Sequence, residues 1–151
     1  MKVLVFSIGP DRYALRLGEI VRVLPVLALK RVPLAPAFVA GLMDLQGEPV
    51  PVIDLSLLAG FTPEQLWFDT RIILVHYPLP GGGTARLGLQ AEHVTGVQTL
   101  DQAALRAPGI HSALFLGEVA GTAAGMLQLI ELDALLPPTV RALLFQGEVA
   151  A

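Results

Sequence analysis

The sequence is poor in the residue types that carry chemistry: it contains no cysteine, no asparagine and only three serines among its 151 residues. Without cysteine there are no disulfides and no thiol chemistry, which is consistent with a reducing compartment. Charged residues make up only 15% of the chain, whereas hydrophobic residues make up 54%. Because few groups solvate the surface, part of the apolar surface is expected to form an interface. This composition favours a protein that works in an assembly.

Signals for a membrane, for export and for nucleic acid are also missing. Pro, Gly or charged residues interrupt the apolar runs before they reach the roughly 20 residues of a membrane span. The chain starts with a strand pattern, Val3–Phe6, and not with a signal peptide. The formal net charge of −3 argues against nucleic acid as a partner. We therefore predict one compact cytoplasmic domain that does not insert into a membrane directly.

No group of residues has the spacing of a catalytic or metal site. The three histidines, His76, His93 and His111, are far apart in the sequence and lack the spacing of metal ligands. No serine lies in a Gly-x-Ser-x-Gly motif. The run Gly81–Thr84 lacks the lysine of a phosphate loop and lies between two predicted strands, so we interpret it as a hairpin turn. The sequence thus predicts no enzyme, no metal and no cofactor.

Segments rich in β-branched and aromatic residues alternate with Gly and Pro, which predicts a mainly β chain. Strands are expected at Val3–Ile8, Arg12–Leu17, Ile20–Leu24, Ala40–Leu45, Val50–Ile53, Thr70–Tyr77, Ala85–Gln90, Val94–Leu100, Leu114–Val119 and Gly125–Ile130. Short helical segments are expected at Leu55–Ala59, at Asp133–Leu136 and from about Thr139 to Phe145. Asp54 and Asp133 are interpreted as caps of such segments and not as a catalytic carboxylate pair.

The two halves of the chain resemble each other. Glu19-Ile20-Val21 and Glu92-His93-Val94 each follow a predicted hairpin strand with a Leu-x-Leu pattern. Val52–Leu58 is similar to Leu129–Leu136. The repeat predicts two similar small β-units in one domain, and closing each unit into a barrel would remove exposed strand edges.

The most distinctive stretch is residues 33–55. It begins with a Pro-x-x-Pro corner, turns at Gly47-Glu48-Pro49, and continues into a second apolar run with Asp54 near its end. This order of residues resembles the signature of the CheW-like domain family, the coupling proteins of bacterial chemosensory arrays. The resemblance is specific from Tyr13 to about Gly60 and weaker in the second half.

The resemblance implies a fold and a function. The implied fold is a single CheW-like domain over residues 1–151, built from two packed, five-stranded SH3-like β-barrels. Short helices are expected between the halves and at the C-terminus, and the barrels are expected to divide near residues 55–70. The implied function is that of a non-enzymatic adaptor between chemoreceptor cytoplasmic tips and the regulatory domain of a histidine autokinase, recruited to membrane-anchored receptor arrays.

The resemblance also implies two binding surfaces. The residues expected to bind the kinase are Val39, Leu42, Met43, Gln46, Gly47 and Glu48. The residues expected to bind the receptor are Ile20, Arg22, Val23 and Gln46. For the three apolar members of the kinase surface, the alternative is an ordinary place in the core.

Two residues depart from the family pattern. Arg22 stands where family members carry Glu, and Gln46 replaces the Arg of their Asn-Leu-Arg-Gly motif. An Arg beside Arg22 would place like charges together, so the two changes look coupled. This suggests a diverged adaptor tuned to its own receptor in an auxiliary pathway, with drift on a solvated face as the alternative.

A second class of function remains open at this point. A small-ligand-binding regulatory β-barrel domain would have the same fold class, but it requires a pocket with several converging polar groups. The scarcity of Ser and the lack of Asn make this the alternative and not the first choice.

Overall fold

The computed structural model describes residues 1–110 and 113–145, which form a mainly β structure. In chain order the strands are β1 (Lys2–Ile8), β2 (Asp11–Arg16), β3 (Ile20–Pro25), β4 (Val39–Leu45), β5 (Glu48–Asp54), β6 (Arg71–Pro78), β7 (Thr84–Thr99), β8 (Leu116–Thr122) and β9 (Gly125–Ile130). The helices are α1 (Leu55–Leu58) and α2 (Pro138–Leu144), with 3₁₀ turns at Leu17–Glu19, Gln102–Ala104 and Leu132–Ala134. Within these described ranges, no helix combines the length and apolarity that a membrane span requires.

The strands form two five-stranded barrels. The first barrel has the strand order β3-β6-β7-β5-β4, and Lys30 closes it by exchanging two backbone hydrogen bonds with Leu42, of 2.9 and 2.8 Å. The second barrel has the order β7-β1-β2-β9-β8, and Arg106 closes it on Val119 in the same way. The predicted fold class, mainly β with two SH3-like barrels, is confirmed.

Strand β7 belongs to both barrels. Its 16 residues pair with β5 and β6 as far as Ala91, and from Glu92 onward they pair with β1. His93 adopts a φ of 50°, which is unusual for a residue with a side chain and lies where the strand passes between barrels. The prediction of separate strands at Ala85–Gln90 and Val94–Leu100 is therefore wrong, because no Gly or Pro ends the strand between them.

The two halves of the sequence exchange their first hairpins. β1 and β2, from the first half, pair with β7 and β9 from the second half. β6 and the start of β7 complete the barrel that contains β3, β4 and β5. The expected division near residues 55–70 separates the repeated halves of the sequence, but the barrels themselves meet within β7, near Ala91. Sequence similarity shows which segments are alike and does not show which of them pair.

The repeat is regular in its register. Val39 pairs with Ile53 in the first barrel, and Leu116 pairs with Ile130 in the second, so both positions are displaced by 77 residues. The parallel pairs β5–β7 and β2–β9 are equivalent as well, with Val52 beside Gly88 and Leu129 beside Ala14. Val52 and Leu129 are again 77 residues apart, whereas Ala14 and Gly88 are 74 apart. Gly88 in the first barrel is therefore equivalent to Ala14 in the second, and Met43 is equivalent to Ala120.

The buried side chains form three cores. The interior of the first barrel contains Met43, Leu45, Val50, Val52, Ile72 and Leu74. The interior of the second barrel contains Val3, Val5, Ala14, Leu100, Leu127 and Leu129. A larger shared core includes residues from both barrels. Successive residues of β6 face different cores, because side chains alternate along a strand: Ile72 faces the first interior and Ile73 the shared core.

Candidate interaction surfaces

The turn between β4 and β5 forms an exposed corner of the first barrel. Gln46 and Gly47 have φ values of 54° and 88°, the combination found in tight two-residue hairpin turns. The Gly47 N–H donates a 2.7 Å hydrogen bond to Asp44 Oδ1, and Glu48 forms a 3.1 Å ion pair with Arg86. The structure thus brings together three exposed residues of the predicted kinase surface, Gln46, Gly47 and Glu48.

Strand β4 places the apolar members of that surface on opposite faces. Leu42 is half-buried and lines a shallow groove of about 340 Å³. Met43 is fully buried in the first barrel, and Val39 is 8% exposed in the shared core. The expectation that Val39 and Met43 present docking side chains at the surface is wrong, because both side chains are buried: Met43 faces the first barrel interior, and Val39 faces the shared core across the register shift between Val39 and Gly41. That Leu42 and the turn residues bind the kinase stays a prediction.

Strand β3 carries the other predicted surface. Ile20 is half-buried, Arg22 is exposed, and Val23 is 40% exposed. The register between β3 and β6 shifts between Ile20 and Arg22, and such a bulge re-aims the side chains beside it. Three residues of the predicted receptor surface therefore lie together on this strand.

Gln46, the fourth residue of the predicted receptor surface, lies elsewhere on the first barrel. Arg22 is on β3, which pairs with β6, whereas Gln46 lies in the turn that joins β4 to β5. Arg22 and Gln46 are therefore not cross-strand neighbours. The idea that their departures from the family pattern are coupled stays a prediction.

An ion-pair cluster holds the passage from β2 to β3. Arg16 donates two hydrogen bonds to the Glu131 carboxylate, of 3.2 and 3.0 Å, and lies 3.8 Å from Glu19. Burial raises the pKa of Glu19, the Arg16 charge opposes this, and the charges of Glu131 and Asp133 add to it. The hydrogen bond to Glu131 in turn raises the pKa of Arg16.

The equivalent passage in β7 is held differently. Glu92 accepts a 2.8 Å hydrogen bond from Ser56 Oγ and another from Trp67 Nε1. His93 Nδ1 lies 2.8 Å from Asp69 Oδ1, and its ring centroid is 5.3 Å from that of Trp67. These contacts anchor the segment between α1 and β6. The sequence analysis did not predict these contacts. The available sign of an anchored loop was Trp67, the only tryptophan of the sequence, in a segment without strand or helix periodicity.

The predicted helix caps are half right. Asp54 Oδ1 accepts a 3.1 Å hydrogen bond from the Leu57 N–H at the start of α1. Burial raises the pKa of Asp54, and its backbone hydrogen bonds oppose that rise. The cap expected at Asp133 is wrong, because the residue that precedes its 3₁₀ turn is Glu131, whose carboxylate binds Arg16 and makes no capping bond.

The three histidines do not share a site among the described residues. His76 is exposed on β6, and His93 contacts Asp69. His111 lies outside the described residues.

Several large apolar side chains are exposed in loops. Leu34 is fully exposed and adopts a φ of 64° within the Pro-x-x-Pro corner. Phe68 is 98% exposed beside the anchored Trp67, and Leu114 is 86% exposed before β8. These side chains lie singly in three separate loops, and single exposed apolar residues are normal on a protein surface, so they assign no site.

The family model described as the CheW-like domain matches residues 2–138. The chain belongs to the CheW-like domain family.

Two individual relatives are similar to this CheW-like chain. Chemotaxis protein CheW of Helicobacter pylori (strain ATCC 700392 / 26695) is 33% identical over 72 residues, which cover 48% of this chain and 44% of that protein. The match thus spans less than half of the relative's length. The crystal structure of scaffolding protein TtCheW from Thermoanaerobacter tengcongensis superposes with a TM-score of 0.78 at 28% identity, covering 89% of this chain and 90% of the other.

Proposed function

We propose that this chain is a non-enzymatic adaptor that couples the cytoplasmic tips of chemoreceptors to the regulatory domain of a histidine autokinase. The observation that carries the proposal is the match of the CheW-like family model over residues 2–138. The name of the structural relative, a scaffolding protein, supports the same role. An adaptor between these two partners works in the cytoplasm and is recruited to membrane-anchored receptor arrays.

The kinase contact is assigned to the end of the β4–β5 hairpin. Leu42 supplies apolar area on the outer face of β4, and the turn at Gln46 and Gly47 has a fixed backbone. Glu48 and Arg86 add one charge of each sign at the edge. An apolar centre with a polar rim is the usual anatomy of a protein interface.

The receptor contact is assigned to β3. Val21 and Val23 are 39% and 40% exposed, and Arg22 is exposed between them. An exposed valine offers area to an apolar helical partner, and the charge of Arg22, on the opposite face of the strand, is available to select the polar groups beside it.

Binding to the two partners, taken from the same organism, tests the proposal. Full-length protein is titrated with the kinase regulatory domain and, separately, with a receptor-tip fragment. Leu42→Asp should weaken kinase binding at least tenfold and leave receptor binding unchanged, and Val23→Asp should do the reverse. Leu114→Asp, an exposed residue outside both surfaces, serves as the control. Failure of the wild-type protein to bind either partner would overturn the adaptor role.

Receptor choice is a finer part of the proposal. If Arg22 and Gln46 tune this adaptor to its own receptor, Arg22→Glu combined with Gln46→Arg should weaken binding to that receptor and strengthen binding to a general chemotaxis receptor. The same titrations with both receptor tips decide the question. Unchanged affinities would mean that the two departures are drift.

The alternative, a small-ligand-binding regulatory domain, has one observation in its favour. A groove of about 640 Å³ is lined by Phe38, Leu58, Leu114 and the Leu135–Pro138 segment, with Asp133 and Arg141 as its charged residues. The volume is that of a ligand site, but such sites usually have more converging polar groups. A screen of metabolites by thermal shift, with Leu58→Trp to fill the groove, separates this role from the adaptor role.

A further inference from the structure

Helix α2 follows the last strand of the second barrel, yet its end packs on the first barrel. The Phe145 ring, just after the helix, stacks on Tyr77 of β6 with ring centroids 5.7 Å apart and ring planes inclined by 23°. Val140 and Phe145 are 5% and 4% exposed in the shared core. A helix of seven residues has little stability of its own, and no side chain caps the start of this one. Its position therefore depends on these few side chains.

The tyrosine beneath Phe145 has an unfavourable environment. Tyr77 is fully buried, and across residues 1–110 and 113–145 its hydroxyl oxygen has no hydrogen-bond partner. A buried hydroxyl without a partner lowers stability, because the water it bonded in the unfolded chain has not been replaced. Because the Phe145 ring lies against the Tyr77 ring, we expect that moving Phe145 away exposes Tyr77 to water. The docked position of α2 thus carries a penalty that an undocked position does not.

We propose that α2 is a releasable strap, defined here as residues 138–145, which opens while the rest of the two barrels stays folded. Its end lies beside the β4–β5 turn: Leu144 and Phe145 line one groove together with Glu48, Pro49 and Arg86. Opening the strap uncovers the apolar surface around Tyr77 next to that turn. The strap, which follows the last strand of the second barrel, thereby controls how much apolar surface the first barrel exposes. The opening itself does not depend on the adaptor role.

Hydrogen exchange of the full-length protein, followed by mass spectrometry, tests the strap. In the wild-type protein, the amides of the strap should exchange faster than those of β6, because they open locally. Tyr77→Phe removes the unpartnered hydroxyl and keeps the ring stack, so it should slow exchange of the strap roughly five- to tenfold. Tyr13→Phe is the matched control, because Tyr13 is half-buried on β2 of the second barrel, and it should change nothing in the strap.

A second variant separates a strap from a core element. Phe145→Ala should speed exchange in the strap and leave the central strands β1 and β6 protected. Three results would each overturn the proposal: equal exchange of the strap and β6 in the wild-type protein, no slowing in Tyr77→Phe, or faster exchange throughout the molecule in Phe145→Ala.

Discussion

The two barrels share one plan and fill it with different side chains. In the first barrel, Met43 fills the interior and the equivalent of Ala14 is Gly88. In the second, Ala120 stands in the place of Met43, and Ala14 restores the methyl group that Gly88 lacks. A Cβ atom on Gly88 would lie 2.9 Å from Ile72 Cγ2, 3.0 Å from Val52 Cγ2 and 3.3 Å from Met43 Cε, so the glycine makes room for the methionine and its two neighbours. Each barrel reaches close packing by its own pairing of large and small residues.

The segments that leave the barrels differ as well. After β5, Asp54 caps α1, and the chain continues into the loop that Trp67 anchors to Glu92. After β9, the equivalent residue Glu131 binds Arg16, and the chain continues into α2. The repeat thus keeps the strand framework and changes the polar contacts at the passages between the barrels.

The largest effect should come from a charge in a barrel interior. Met43→Asp places a carboxylate with no partner among apolar side chains, which should cost more than about 4 kcal/mol. Ala120→Asp should have a similar effect in the second barrel. Leu42→Asp, one residue away on the outer face, should lower the free energy of unfolding by less than about 1 kcal/mol. Urea denaturation followed by circular dichroism measures all three.

These variants also test whether the barrels depend on each other. Because β7 and the shared core belong to both, each interior variant should unfold the whole molecule. Protected amides in β9 of the Met43→Asp protein would show that the second barrel folds alone.

The second prediction concerns the stability cost of changing residue size in the two barrel interiors. Gly88→Ala would place a Cβ atom 2.9 Å from Ile72 Cγ2 and 3.0 Å from Val52 Cγ2, so it should cost about 1–3 kcal/mol. Ala14→Gly, the reverse change in the second barrel, should cost about 0.5–1 kcal/mol. Combining Gly88→Ala with Met43→Ala should cost less than the sum of the two single changes, because the shorter side chain removes one of the three close contacts and gives the other two neighbours space to shift. Additive costs in denaturant titrations would contradict this packing relation.

The third prediction compares Asp54 and Glu131, the residues that precede α1 and the Leu132–Ala134 turn. Asp54→Ala removes the cap of α1 and should lower the free energy of unfolding by about 1 kcal/mol. Glu131→Ala breaks only a partly exposed ion pair with Arg16 and should cost about 0.2–1 kcal/mol. Raising the salt concentration should shrink the effect of Glu131→Ala and leave that of Asp54→Ala largely unchanged. An equal salt dependence of the two would contradict the different roles assigned to them.

The smallest effect is a pH dependence at the β2–β3 passage. Burial raises the pKa of Glu19 in the folded protein. The folded state therefore binds the proton of this carboxyl more readily than the unfolded chain does. At neutral pH, where Glu19 is ionised in both states, the residue lowers the free energy of unfolding. Glu19→Gln should therefore raise the free energy of unfolding at pH 7 by a few tenths of a kcal/mol, a figure reduced for solvent screening. The gain should shrink as the pH falls through the raised pKa towards the unfolded value of about 4.3. Thermal unfolding at several pH values measures it, with Glu64→Gln in the exposed loop as the control.

The sequence predicted those parts of the fold that depend on local signals. Gly125–Ile130 has the predicted bounds, because a glycine starts it and the apolar run ends before Glu131. Membership of the barrels was not predictable in this way, since the pairing of β2 with β9 joins residues more than 100 positions apart, such as Arg12 and Leu127. Long-range pairing leaves no trace in a local pattern.

The candidate surfaces show the same limit. The turn at Gln46 and Gly47 was recognisable from its glycine, and it is exposed as expected. Grouping Leu42 with Met43 ignored the alternation of a strand, which puts the two on opposite faces. The register shift that turns Val39 towards the shared core left no sign in the sequence. The anchoring of Trp67 by Glu92 was beyond the reach of the sequence, because it joins a loop without periodicity to a distant strand.

The exchange of hairpins between the halves also sets the order in which the protein assembles during synthesis. When residue 60 leaves the ribosome, the residues of strands β1 to β5 have been synthesised, yet neither barrel has all of its strands. The first barrel waits for β6 and the start of β7, up to Ala91, and the second waits for β9, up to Ile130. Until then β1 and β2 lack their outer partners, and unpaired strand edges are prone to pair with other chains. The nascent first half is thus the stage at which a chaperone has most to protect.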